Sequence, residues 1–262
     1  MITSTSNSKI KFVRALQTKP QTRREAQAFV CEGVRLVEEA LSAGWPARLL
    51  LYTKELNERG QAVVNAYASQ GVEVEQVAPH VMRAASETET PQGILAVLAM
   101  QVLPISAKPD FVLIADAVRD PGNLGTILRT AAAAGVNALL VSPGTVDPYA
   151  PKVLRSAMGA HFRLPLQVLS WQEIGNFLKD AGLQVYLAAT GQGEAYTRTD
   201  FRLPLALILG SEAEGAGSQA YALADTQVHI PMSGQSESLN VAAAAAVLMF
   251  EVVRQRAQPR EK

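Results

Sequence analysis

Three stretches of this 262-residue chain place small polar side chains beside glycine at the ends of apolar runs. Residues 205–210, LALILG, lead into Gly210-Ser211-Glu212. Residues 228–232 lead into Ser-Gly-Gln-Ser-Glu-Ser, which ends at Ser238 and is followed by Leu239 and Asn240. The third stretch, DAVRDPGNLGTILRTAAAAG over 116–135, sets Asn123 just after the Pro121-Gly122 turn and Arg129 six residues further on. Turns of this kind expose backbone N–H groups and short side chains where open α/β sheets bind ligands. Arg129 falls inside the predicted helix rather than at its anion-attracting N-terminus. The residues alone allow a ligand clamp or a surface cation with its stem laid across an apolar groove.

The elements that must position these turns follow from period and punctuation. Apolar runs of five or six residues at 205–210 and 228–232 predict strands covered on both faces. A long helix is expected to begin near Ser238, which can cap it, and to run to Arg256. Its Ala242–Ala246 run has little bulk, so a face of that helix admits close packing, within the chain or across a two-fold contact. Upstream, the period predicts strands at 111–117, 138–142, 164–169 and 184–189. Helices are expected at 123–134, 149–158 and 171–181, giving a mostly parallel sheet. The first hundred residues predict a smaller α/β unit, with strands near 29–32, 48–52, 72–77 and 93–99 and helices at 34–43 and 56–70. Residues 101–109, rich in proline and without period, read as a linker. The expected domains are therefore 1–100 and 110–262.

Composition narrows the function classes. No apolar run approaches the roughly 20 residues that span a bilayer. Cys31 is the single cysteine, and His80, His161 and His229 are far apart, so neither a disulfide framework nor a metal-ligand spacing is present. No signal peptide is visible at the start, and a cytoplasmic location is expected. Lys plus Arg and Asp plus Glu balance at 24 each, yet Lys9, Lys11, Arg14, Lys19, Arg23 and Arg24 all precede the first acidic residue, Glu25. That basic arm suits nucleic-acid phosphates, or is a solvated flexible terminus. A dinucleotide-binding oxidoreductase is disfavoured: only Gly122 and Gly125 stand where a G-x-G-x-x-G fingerprint would need three glycines.

Taken together, Asn123-Leu124-Gly125 with Arg129, Leu209-Gly210-Ser211-Glu212 with Gly215, and Ile230-Pro231-Met232 with Ser238-Leu239-Asn240-Val241 closely resemble the three motifs of the SpoU-type (TrmH-like) RNA ribose 2′-O-methyltransferases of the SPOUT superfamily. The resemblance covers 110–257. Around Phe29, Glu32 and Gly33 the N-terminal part resembles the small L30e-like domain that many members carry for substrate binding. Two departures stand out: Ala242 occupies a position where many relatives have serine, and Ala216-Gly217 is a less common continuation after Gly215.

The resemblance implies an α/β fold with a C-terminal SPOUT domain, a mostly parallel sheet and a deep trefoil knot. S-adenosylmethionine would be held at Gly210, Ile230 and Leu239, with Thr190 a further candidate, and no metal is expected. Asn123, Arg129, Glu212, Ser238 and Asn240 match the family's other site positions. Arg129 would clamp a phosphate and the reacting 2′-oxygen, since a guanidinium stays protonated and makes a poor base. The proton acceptor stays open between Glu212 and a substrate phosphate. The implied partner is RNA, ribosomal RNA being favoured over transfer RNA, and the implied assembly is a homodimer through the catalytic domain. A non-catalytic RNA-binding relative would be expected to have lost Asn123, Arg129 or Asn240, and all three are present.

Overall fold

The computed structural model describes residues 1–211, 215–234 and 238–258. The chain divides into two compact units, one of residues 1–101 with 147–162 and one of 102–146 with 163–262.

The first unit opens with helices α1 (Ser8–Thr18) and α2 (Pro20–Ala26), followed by β1 (Ala28–Glu32), α3 (Val34–Ser42), β2 (Ala47–Tyr52), α4 (Glu58–Ser69), β3 (Glu73–Gln76), α5 (Pro79–Ala85) and β4 (Ile94–Ala99). Its sheet has the order β1-β4-β2-β3, antiparallel on both sides of β4 and parallel between β2 and β3. The basic arm is not a loose terminus. Asn7 caps α1 by accepting from Lys9 N, and Ile10, Val13 and Leu16 are fully buried on one helix face. Lys9 pairs with Glu73 at 2.6 Å and also with Glu75. Arg23 is only 2% exposed and donates from Nη1 to the carbonyls of Leu16 and Gln17. Lys11, Arg14, Lys19 and Arg24 remain exposed. Helix α5 had no counterpart in the sequence reading, because its seven residues carry too few turns to show a period.

The second stretch of chain forms β5 (Phe111–Ala115), α6 (Pro121–Ala133) and β6 (Ala138–Val141), then α7 (Pro151–Ala157) and a single 3₁₀ turn at Ala160–Phe162, then β7 (Leu166–Val168), α8 (Trp171–Ala181), β8 (Gln184–Ala188), β9 (Glu194–Ala195), β10 (Leu205–Leu209), α9 (Ser218–Leu223), β11 (Thr226–His229) and α10 (Val241–Ala257). Residues 147–162, which the sequence reading places in the second domain, belong to the first unit. The reason is apolar and ionic complementarity: Tyr149 stacks near Phe29 at 4.9 Å, Phe162 near Trp45 at 5.2 Å, and Asp147 receives the Arg23 guanidinium at 2.6 Å.

The second sheet is seven-stranded and parallel throughout, in the order β7-β6-β5-β10-β8-β11-β9. Its central strands β5, β6 and β10 are buried at every position, as strands covered on both faces must be. Ile174 and Leu178 of α8 and Ala220 of α9 share a core with Val112, Ile114, Ala206 and Ile208, while α6 and α10 pack together. The chain lays β5, β6 and β7 outward in one direction and then continues with β8 on the other side of β10, so the strand order reverses beside β5. Open α/β sheets bind ligands at such a switch point, beyond the carboxyl ends of the strands.

Two local expectations change. Helix α10 starts at Val241, and its cap is Asn240, which accepts from Ala242 N and Ala243 N; Ser238 lies before the cap. Asn240 takes the role because its amide oxygen reaches two orphan N–H groups at once. Ala242 and Ala245 face the unit's own core, so the open face of α10 is instead Ala243, Val247 and Phe250. No described helix is long and apolar enough to cross a membrane, and no cluster of His, Cys, Asp or Glu suited to a metal occurs among the described residues.

Candidate active site

The three motif segments meet at the carboxyl ends of β5, β8, β10 and β11. Strand β5 is followed by Asp116, a buried carboxylate that accepts from Ser142 Oγ at 3.0 Å and from Gly217 N at 2.7 Å. One side chain therefore ties the turns after β5, β6 and β10 together. Sequence reasoning passed over Asp116; the only signal was an acidic residue closing an apolar strand, where a lone carboxylate must find donors. Asp120 then caps α6 by accepting from Asn123 N at 2.8 Å, with Pro121 at the first helical position.

Asn123 and Asn240 are 117 positions apart in the chain, and Asn240 Nδ2 donates to Asn123 Oδ1 at 3.0 Å. Asn240 thus uses its oxygen to start α10 and its nitrogen to hold the first turn of α6. Beside this pair lies a cleft of about 230 Å³, lined by Thr190, Gly210, Ile230 and Leu239, the four residues expected to hold a cofactor, and by Ser238. Leu209, Val228 and Leu248 supply apolar wall, while Thr190, Gln192 and Ser238 supply polar edges. Tyr221, Met232 and Leu239 are large apolar groups left 42%, 37% and 39% exposed at this cleft. A mixed lining with several exposed apolar groups suits a flat, partly polar ligand. Tyr221 was not singled out from the sequence, because α9 is too short to display a face.

Gly210 has a specific reason to be glycine. Ser211 and Gly215 exchange backbone hydrogen bonds at 2.9 and 3.1 Å, and a β-carbon at Gly210 would lie 2.5 Å from Ala216 N. The close approach that Gly210 permits is therefore to the turn of its own chain, and any larger residue displaces that turn. Glu212 lies outside the described residues. Arg129 is exposed on α6 and is not among the residues lining the cleft. One chain accordingly bonds Asn123 to Asn240 and gathers Ser238 and the four cofactor candidates around the cleft, whose lining does not include Arg129.

A family profile described as "SpoU rRNA Methylase family" matches residues 110–250, which carry all of these groups. The chain belongs to the SpoU family. A second profile, "MRM3-like substrate binding domain", matches residues 7–96. Across the whole length this SpoU-family chain is 37% identical to the 23S rRNA (guanosine(2553)-2′-O)-methyltransferase RlmP of Bacillus subtilis, covering 96% of this chain and 98% of that protein. It is 32% identical to the 23S rRNA (uridine(2479)-2′-O)-methyltransferase of Streptomyces viridochromogenes, covering 95% and 91%. Among solved structures, the AdoMet-bound rRNA methyltransferase from Sinorhizobium meliloti superposes with a TM-score of 0.88 at 30% identity, covering 98% of both chains.

Proposed function

We propose that this protein transfers a methyl group from S-adenosylmethionine to a ribose 2′-hydroxyl of ribosomal RNA. The observation that carries the reading is the junction of Asn123 with Asn240 beside a cleft lined by Thr190, Gly210, Ile230 and Leu239. Ribosomal RNA is favoured because both relatives described above match over both units and are named as 23S rRNA enzymes. Their named nucleotides differ, one a guanosine and one a uridine, so the fold does not dictate the base.

The cleft fits the cofactor's chemistry: apolar walls at Leu209, Val228 and Leu248 suit an adenine, and polar groups at Thr190, Gln192 and Ser238 suit a ribose and an amino-acid end. When bound there, S-adenosylmethionine supplies a methyl group made electrophilic by its sulfonium. The protein's task is to hold a 2′-oxygen in line and to assist loss of its proton, since a ribose hydroxyl is a weak nucleophile at neutral pH. Asn123 and Asn240 fix the two helix starts that flank the reacting position, and Ser238 offers a hydroxyl at the cleft edge. Arg129 serves as a permanent cation that binds the neighbouring phosphate and favours charge developing on the oxygen. Glu212 and a substrate phosphate remain the two candidates for the proton acceptor.

Arg129 reaches a cleft if the active unit is a homodimer. Ala243, Val247 and Phe250 stand at i, i+4 and i+7 on α10, with Val247 36% and Phe250 49% exposed, and α10 packs on α6, which carries Arg129. Burying this stripe against a second copy removes apolar surface from water and carries Arg129 toward the partner's cleft. We also propose that the turns following β8, β10 and β11 form the trefoil knot of the superfamily, that the exposed cations of α1 and α2 contact RNA phosphates, and that the protein works in the cytosol.

The test uses purified protein, methyl-labelled S-adenosylmethionine and ribosomal RNA, followed by digestion to nucleosides. Label in a 2′-O-methylnucleoside is the expected result, and label only in a methylated base overturns the reading. For the dimer, Arg129→Ala and Asn240→Ala are co-expressed: mixed dimers regain activity if the two residues serve one cleft from opposite chains, and stay inactive if one chain supplies both.

A further inference from the structure

The first unit holds a second cavity, of about 370 Å³, which the methyl-transfer reading leaves without a role. Leu36 and Met158 give it apolar lining, and Arg35, Glu39, Thr90 and Arg155 line it as well. Three parts of the chain build it. Gly33 and α3 form one wall, residues 86–92 form the second, and α7 with Met158 forms the third.

Cross-bonds hold the walls in place before any ligand arrives. Gln92 Oε1 accepts from Val34 N at 3.0 Å, and the Glu32 carboxylate accepts from Thr88 Oγ1 and from Glu87 N. Gly33, at φ +95°, lets the Gln92 amide lie against the backbone, since a β-carbon there would come 2.9 Å from Gln92 Oε1. With its oxygen engaged, the Gln92 amide keeps two N–H donors for a ligand. Arg155 leans on Glu87 at 3.4 Å and keeps most of its fork open. The lining therefore offers apolar groups from Leu36 and Met158, the Gln92 amide, the Thr90 hydroxyl and the guanidinium groups of Arg35 and Arg155.

We propose that this cavity receives one unpaired nucleobase of the substrate RNA, with Arg35 and Arg155 at its flanking phosphates, so that the first unit selects where the second unit reacts. The proposal rests on the RNA methyl-transfer reading. The chemistry matches an extruded base: the flat ring lies on Leu36 and Met158, its edge meets Gln92 and Thr90, and its backbone meets the arginines. Eight of the ten lining residues fall within residues 7–96, the part matched by a substrate-binding profile, and the other two, Arg155 and Met158, come from the segment that joins this unit from outside that range. A solvated dent would need neither the borrowed segment nor the cross-bonded loop.

The experiment uses the full-length protein and a 23S rRNA transcript. Thr90→Trp fills the cavity from an exposed position, and Arg35→Glu reverses a charge in its lining. Both variants are expected to raise KM for RNA by about tenfold or more, with kcat at saturating RNA, cofactor affinity and thermal midpoint all unchanged. Unchanged KM in both overturns the proposal. As a measurement independent of folding in the variants, ultraviolet crosslinking of the wild-type protein to the transcript should yield RNA-bearing peptides covering residues 32–39, 86–92 or 152–158. Crosslinks confined to other peptides overturn it. Failure of the underlying reading looks different: the wild-type protein itself would then place no methyl group on ribose, and the crosslink map would still decide the cavity.

Discussion

The two units make their candidate sites in opposite ways. In the second, every strand of the sheet runs parallel, so the carboxyl ends of the strands share one edge, and residues from 116–123, 188–192, 209–211, 215–217, 230–234 and 238–240 converge there. In the first, the sheet is mixed and its antiparallel pairs send turns to both ends, so the cavity needs a wall lent by residues 151–158. A parallel sheet assembles a site through topology; a mixed one must import a part.

That contrast can be broken first where the lent segment is fastened. Arg23 and Asp147 form an ion pair at 2.6 Å with the guanidinium side chain 3% exposed, so Arg23→Ala removes a buried cation, strips the half-buried Asp147 carboxylate of its partner and leaves the Leu16 and Gln17 carbonyls without their donor. A loss of about 3–5 kcal/mol in the unfolding of the first unit is expected by urea denaturation. Cofactor affinity, a property of the second unit, should be unchanged; a parallel fall in that affinity would show that the two sites do not stand separately.

Asn240 sharpens the comparison within the second unit because cap and junction can be separated. Asn240→Asp keeps an oxygen for Ala242 N and Ala243 N but loses the N–H that holds Asn123. Stability should hold, while kcat falls by about a hundredfold. Asn240→Ala should lose a similar amount of activity and about 1 kcal/mol of stability besides. Arg129→Ala, exposed on α6, should cost activity by about a hundredfold with stability changed by less than about 0.5 kcal/mol. Full activity of the Asp variant would mean that Asn240 matters only as a cap.

His161 lies fully buried in the lent segment, with Nε2 2.7 Å from the Pro148 carbonyl and Nδ1 unpartnered. Burial pushes its pKa down from 6.5 to about 4, so between those values the unfolded chain binds a proton that the folded chain does not. Stability from this group is complete above pH 6.5 and is lost as the pH falls toward 4, by at most about 3 kcal/mol. His161→Gln, which keeps an N–H for Pro148, should flatten that part of the stability profile as followed by denaturant midpoints. The smallest effects belong to Lys11, Arg14, Lys19 and Arg24. Replacing each by alanine should weaken RNA binding less than tenfold and reduce the slope of log affinity against log salt by about 0.7–0.9 for every phosphate no longer neutralised.

What the sequence disclosed follows the same contrast. Strands β5, β6 and β10 are unbroken apolar runs, a feature local enough to read directly. The cofactor candidates came from the likeness of their motifs to the SpoU family, and the fold gathers all four around one cleft. Three things were not legible, since each depends on a partner distant in the chain. Asp116 needs Gly217, the second bond of Asn240 needs Asn123, and Asp147 joins the first unit only once Arg23 is buried there. The alanine run left its partner open for a related reason: small residues mark close packing, and which helix they approach is set by the fold.

The central claim is methyl transfer to a ribose oxygen of ribosomal RNA, and the most direct measurement is a map of 2′-O-methyl groups across ribosomal RNA from cells with and without this protein. The account predicts that a ribose methyl group disappears with the protein and returns on expression of the wild-type chain but not of Arg129→Ala. Identical maps in the two strains, or a lost modification that lies on a base, would contradict it.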